Sequence, residues 1–437
     1  MISIGFHAII CCMYNSYYKK QTDYQKKVCI HINDDKDDCW QYFTGKGIQF
    51  YVICGHCARM NDLKAIPFRD VDDDYFDRLL EEINNYWEGI TGLPEVLHAE
   101  SMISLSVESY RITQPAENKI CSGVCGHSKK ELSFYLLNDQ LHLIQFTICK
   151  KEIIRKKIVV KNIHNIDVKS PVLMYISEND RYIVLANHNG QFANIIDLRE
   201  ERVICTIDRK DYYIDHCEFP LAFFTYNDKQ YLVHASDWNR LDIFDCDKRK
   251  SVVERLVSRE NHYLDYFYGI LAISPGNKRI ATAGWGWSPV GFIRSWDLMQ
   301  WINGNQYESE DGGSLWDCHV TQNWDFPVTW IDDEILAVAG YNWDDGNWVD
   351  GVVFYNVAER KLSGWFPGPD GAIFYYAGIL ISISSEGRIT LWNTDKGVCI
   401  FDKTVKGLTL FCNQSGALVT IDGENIAVSE IPAACLK

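Results

Sequence analysis

The sequence predicts an all-β fold, a seven-bladed β-propeller of four-stranded blades preceded by a small mixed α+β module, on three observations. From about residue 130 onward one pattern recurs with drift. Each unit has an apolar run, a turn rich in Asn, Asp and Gly, a second β-rich run, a variable loop, and a third run closing on an aromatic or apolar residue followed by Asp or Asn. The pattern recurs about seven times at roughly 40–50 residues, the length of a propeller blade. Hydrophobic residues make up 47 % of the 437-residue chain and aromatics 13 %, so a real core can be buried and disorder is excluded. One such sheet cannot bury both faces alone, whereas seven packed radially bury them against one another.

Residues 1–100 form the N-terminal module. The opening MISIGFHAIICC lacks a basic flank, is interrupted by His7 and has no small-residue cleavage site, so it does not read as a secretory signal. Met13 is an alternative start. No run elsewhere approaches the roughly 20 apolar residues that span a bilayer. The expectation is a cytoplasmic protein with no membrane partner. Within Asp70–Trp87 the residues Tyr75, Phe76, Leu79, Leu80, Ile83, Tyr86 and Trp87 share one helical face. Asp72–Asp74 stand at its start, where they favour the helix dipole.

The propeller is expected over residues 103–431. Its units read 131–160, 172–207, 221–256, 270–302, 328–366, 373–402 and 408–431, punctuated by turns such as Asn179-Asp180, Asn227-Asp228, Pro275-Gly276 and Glu386-Gly387. The last unit ends after its third strand, and a ring must not leave an edge open. The alternating segment 104–112 is therefore predicted to be the outer strand of the last blade.

Third runs end in Ser295-Trp296-Asp297-Leu298 and Leu391-Trp392-Asn393-Thr394, with degenerate forms Ile196-Asp197, Phe244-Asp245 and Tyr355-Asn356. On these residues the chain resembles WD40-like (quinoprotein- or YVTN-like) β-propeller repeat proteins. It does so as a divergent member, because the Gly-His element usual in that family is absent. The resemblance implies the fold more than a function.

The net charge is -16, from 59 acidic against 43 basic residues. Such a field repels phosphate backbones and argues against nucleic acid as a partner. The one basic cluster, Lys150, Lys151, Arg155, Lys156, Lys157 and Lys161, is interleaved with Ile and Val and reads as a solvated strand face. The 16 cysteines lie scattered in strand-like runs, which suits buried thiols in a reducing compartment. No cofactor is expected except a structural zinc. Its candidate ligands are the C-x-x-C pair Cys54 and Cys57, three positions apart with Gly55 and His56 between them, and Cys29 and Cys39 as the second pair. Inert core cysteines are the competing reading.

Loops between second and third strands emerge on one face of a propeller. Here they carry Trp238, Trp285, Trp287, Trp343, Asp344, Asp345 and Trp348. Aromatics beside acids suit a protein or peptide partner, and a basic one in particular. The opposing reading is that these tryptophans pack beneath their own loops. The function expected is non-enzymatic binding through this aromatic and acidic rim. The alternative is a propeller hydrolase or lyase acting at the channel mouth. That alternative lacks support from the innermost strands, which hold no His or carboxylate. Asn342–Asp350 departs from a calcium loop, since Gly346 comes too early. Asp317-Cys318-His319 are neighbours in a strand and do not face one another.

Overall fold

The computed structural model describes residues 39–43, 50–54, 65–67, 95–112, 119–128, 130–252, 266–286, 290–321, 325–343 and 347–432. The helix expected at Asp70–Trp87 lies outside them. Of the N-terminal module the described part before residue 95 is a three-stranded antiparallel sheet, Phe50–Cys54 and Ala65–Pro67 flanking Cys39–Phe43.

The remainder is a seven-bladed propeller. Blade 1 comprises Ile120–Cys125, Leu132–Asn138, Leu143–Cys149 and Glu152–Ile158; blade 2, Val172–Ile176, Tyr182–Asn187, Phe192–Asp197 and Arg202–Asp208. Blade 3 comprises Leu221–Tyr226, Lys229–Asp237, Arg240–Asp245 and Lys250–Ser251; blade 4, Phe267–Ile273, Arg279–Gly286, Val290–Asp297 and Trp316–Thr321. Blade 5 comprises Val328–Trp330, Ile335–Trp343, Asn347–Asn356 and Lys361–Pro367; blade 6, Ala372–Tyr376, Ile379–Ile383, Arg388–Asn393 and Val398–Thr404. Blade 7 comprises Leu408–Cys412, Ala417–Asp422, Asn425–Glu430 and, from the other end of the propeller sequence, Ser106–Arg111. First strands of successive blades lie beside one another, so they are the innermost.

The ring closes by strand exchange. Ser106–Arg111 pairs antiparallel with Asn425–Glu430, from Arg111 opposite Asn425 to Ser106 opposite Glu430. Just before it, Leu97–His98 adds a fifth, parallel strand to blade 6. The amides of Ala99 and Ile103 then donate to the carbonyls of Cys399 and Ile400, both at 2.8 Å. This parallel strand has no counterpart in the repeat pattern. Two further elements differ from expectation. The inner strand of blade 1, Ile120–Cys125, carries Ser, Gly and two Cys in six residues, too little β-branched character to register as a strand. Blade 4 also carries helices α1 (Leu298–Asn303) and α2 (Glu308–Asp311) between its third and fourth strands.

The recurring Asp or Asn after the third strand has a local cause. There the chain must reverse, and a short side-chain oxygen accepts an amide two or three residues on. Asp197 accepts from Arg199 N at 2.9 Å, Asp245 from Lys248 N at 2.8 Å and Asn356 from Glu359 N at 2.8 Å. Asn393 accepts from Lys396 N at 3.0 Å. Asp297 instead caps α1, accepting from Gln300 N at 2.8 Å. The residue before each acceptor is buried: Ile196, Phe244, Trp296, Tyr355 and Trp392 all lie inside.

The core is a set of interfaces between blades. Phe134, Leu136 and Phe146 of blade 1 meet Leu410, Val419 and Ile426 of blade 7. Ala337, Ala339 and Val352 of blade 5 meet Leu380 and Trp392 of blade 6. Helix α1 adds Trp301, which stands edge-on to Trp296 with ring centroids 5.7 Å apart.

Cysteine chemistry differs from the expectation of thiols alone. Cys125 of blade 1 and Cys412 of blade 7, 287 positions apart, form a disulfide between innermost strands. Cys217, Cys246, Cys318 and Cys399 are buried thiols. The disulfide spans the interface next to the closing strand, so breaking it enlarges the unfolded ensemble. Reductant is expected to lower stability by about 2–5 kcal/mol, read as a lower urea midpoint. An unchanged midpoint would show that the bond contributes nothing.

Candidate functional site

The antiparallel registers put the turns between second and third strands on the same face as the connections that enter each innermost strand. On this face, between blades 2 and 5, the structure gathers an aromatic stack and a buried set of ionisable groups.

The loop between blades 2 and 3 is organised by Arg209, 4 % exposed. Its guanidinium donates to four backbone carbonyls: Gly190 at 2.7 Å, Ile214 at 2.9 Å, Glu218 at 3.2 Å and Cys217 at 3.3 Å. It also lies 4.6 Å from the centroid of the Phe219 ring. Burial pushes its pKa down, to about 10, so the charge persists at neutral pH. One planar donor fork thus fixes a loop that has no sheet partner of its own.

That loop lays Tyr212 and Tyr213 over the stack. Phe267 and Trp285, opposite one another in blade 4, stack with centroids 4.2 Å apart and planes 3° from parallel. Trp238 lies 4.3 Å from Phe267, and Tyr212 5.2 Å from Trp238. A register shift between Phe267 and Ile270 makes this possible. It requires glycines, since a Cβ on Gly269 would sit 2.2 Å from the Ala283 carbonyl oxygen and one on Gly284 2.0 Å from that of Phe267. Gly284 therefore serves close packing of two strands.

The sequence expected Trp238 and Trp285 to be exposed on the rim, and this is corrected: they are 5 % and 3 % exposed, covered by the Tyr212–His216 loop. The exposed aromatics are Tyr212 and Tyr213, each 42 %. No repeat pattern marked them; the signal available was a Tyr-Tyr pair in a long connection beside a lone Arg. Trp343 and Trp348 lie near the tip of the blade 5 hairpin, where Trp343 is opposite Asn347 and Asn342 opposite Trp348. The two tryptophans are thus not a cross-strand pair. Trp287, Asp344 and Asp345 lie outside the described residues.

Beside the stack stand Glu218 and Asp325, in the connections that enter the innermost strands of blades 3 and 5, His188, in the turn between the second and third strands of blade 2, and Tyr175, within the innermost strand of blade 2. The Tyr175 hydroxyl donates to Glu218 Oε1 at 2.8 Å, and His188 Nε2 lies 3.3 Å from Glu218 Oε2. The Glu218 amide points to Asp325 Oδ1 at 3.5 Å. The Glu218 carboxylate pushes His188 up to about 9, so the imidazole is charged at neutral pH. Burial, reinforced by the charge of Glu218, pushes Asp325 up to about 7. These acids come from connections, whereas the seven innermost strands contain no His, Asp or Glu.

Elsewhere, Asp317 lies 2.6 Å from Arg294 Nε, and the Cys318 thiol donates to the Ile293 carbonyl at 3.1 Å. Of the zinc candidates, Cys39 and Cys54 are opposite one another in the N-terminal sheet, while Cys29 and Cys57 lie outside the described residues. Among the described residues no group of three or more His, Cys, Asp or Glu is placed to hold a metal, and no helix is long and apolar enough to cross a membrane.

The fold and this face define a seven-bladed propeller with a loop-built surface at the channel mouth. No protein-family model matches the sequence, and no curated protein matches it. Among solved structures the chain is similar to the WD40 repeats of RRP9, with TM-score 0.48 and 13 % identity over 78 % of this chain and 100 % of that one. It is also similar to U3-55K, with TM-score 0.47 and 14 % identity over 77 % of this chain and 100 % of that one.

A carboxyl group raised in the folded state stabilises below its unfolded pKa, and that contribution is lost as pH climbs through the folded value. For Asp325 the loss falls between about 4 and 7. The Asp325→Asn variant is expected to flatten the stability curve across that window. At pH 8 it should be more stable than the parent by on the order of 2 kcal/mol. Chemical denaturation at a series of pH values measures this; parallel curves for the two proteins would contradict it.

Proposed function

We propose that the chain is a non-enzymatic protein- or peptide-binding propeller whose contact surface is the face carrying Tyr212 and Tyr213. The observation that carries this reading is the exposure of this tyrosine pair on a foundation of Trp238, Phe267 and Trp285. Tyrosines presented on a rigid base bury large area on contact and lose little side-chain entropy, which is why they dominate binding hot spots. Glu218 and Asp325 lie alongside at the channel entrance, in a chain of charge -16. That excess of negative charge over the whole chain favours a partner that brings a Lys or Arg side chain.

The reading is tested with the Tyr212→Ala/Tyr213→Ala double variant, next to Lys403→Ala on the perimeter of blade 6 as control. Partners captured from the native host by the parent are quantified with each variant after its unfolding temperature is matched to the parent. The double variant is expected to reduce recovery of the main partner about tenfold, the effect of losing one hot spot, with the control unchanged. Equal recovery by all three would remove this face as the contact surface.

A further inference from the structure

On the opposite face of the ring, between blades 1 and 2, a cleft of about 340 Å³ opens. Its wall is polar and of mixed charge. Lys156 comes from the outer strand of blade 1 and Arg199 from the last turn of blade 2, while Asp180 comes from the first turn of blade 2 and Glu131 from the first turn of blade 1. At its floor Ser133 is 6 % exposed, and its hydroxyl has no hydrogen-bond partner among the described residues. A buried hydroxyl left so is costly in a folded protein unless something else satisfies it.

The other floor groups are also set to donate or accept. Gln145 Nε2 donates to the Tyr135 hydroxyl oxygen at 3.1 Å, which leaves that hydroxyl's own proton free to donate. Burial, with the Asp180 charge, pushes Tyr135 up to about 12, so the proton stays in place. Asp180 is fixed by the His127 amide at 2.7 Å to its Oδ1. Gly126 keeps the wall thin, since a Cβ there would meet the Ser133 hydroxyl at 2.3 Å and Asp180 Oδ2 at 3.0 Å.

Both signs of charge on one wall, around buried hydroxyls, favour a ligand that carries both signs itself. We propose that this cleft binds a small zwitterion of the α-amino-acid type, its carboxylate toward Lys156 and Arg199 and its ammonium toward Asp180 and Glu131, with the Ser133 hydroxyl as a hydrogen-bond partner. The volume, at the small end of ligand pockets, suits a molecule of that size with a few waters.

The test is a thermal-shift and calorimetric screen of the full chain with free L-α-amino acids. Their amides, their N-acetyl derivatives and myo-inositol are run in parallel. At least one amino acid is expected to raise the unfolding temperature saturably, with its amide and N-acetyl forms losing the effect because each lacks one charge. Ser133→Ala is expected to leave the unliganded protein at least as stable as the parent, because the hydroxyl it removes has no internal partner, and to weaken binding about tenfold. Lys156→Gln, at a solvent-exposed position, is expected to weaken it comparably and carries the test if Ser133→Ala does not fold. The proposal is overturned by any of three results: no saturable shift with any amino acid, equal shifts with the singly charged derivatives or inositol, or unchanged affinity in the soluble variants.

Discussion

The ladder between Ser106–Arg111 and Asn425–Glu430 brings Arg111 against Glu424, 313 positions later in the chain. Until it forms, blade 7 has an open edge and the apolar faces of blades 1 and 7 have no fixed partner. Closing so long a loop costs conformational entropy that only the contacts made afterwards repay. The Arg111–Glu424 ion pair at 3.2 Å is largely exposed and contributes little to that repayment. The contributors are the apolar cluster of Phe134, Leu136, Leu410, Val419 and Ile426 and the Cys125–Cys412 bond.

A rigid ring leaves function to its connections, and here one connection is unusually well specified. Arg209 holds the 209–219 loop by its carbonyls, in the way a small core would hold a larger element. The stack of Trp238, Phe267 and Trp285 then decides where Tyr212 lies. The same loop ends in Glu218, so the aromatic surface and the charged group at the channel mouth are positioned together. Disturbing Arg209 would move both.

Much of the fold was legible because propeller blades advertise themselves in short-range chemistry. The Asp or Asn after each third strand is a turn acceptor, so Asp197, Asp245, Asn356 and Asn393 could be read before any tertiary contact was known. Ile120–Cys125 was not legible, because Gly123 and Ser122 lower its strand character and its place is set by neighbouring blades; a Cβ on Gly123 would meet Leu136 at 2.8 Å. The site was harder. Large aromatics in turns look alike whether they face solvent or pack under another loop, and Trp238 and Trp285 are buried only because a loop from the preceding connection covers them. Such a covering contact leaves no periodicity.

Hydrogen exchange of the native protein, followed by mass spectrometry with peptides spanning 104–112 and 424–431, tests the closure account most directly. If the ring is a single cooperative unit locked by strand exchange, the amides of both peptides that are hydrogen-bonded across the ladder exchange together, at the slow rate of the innermost strands, and only through global unfolding. Fast exchange of 104–112 beside slow exchange of blades 1 to 6 would show that the closing strand is an ornament on a ring held by other means.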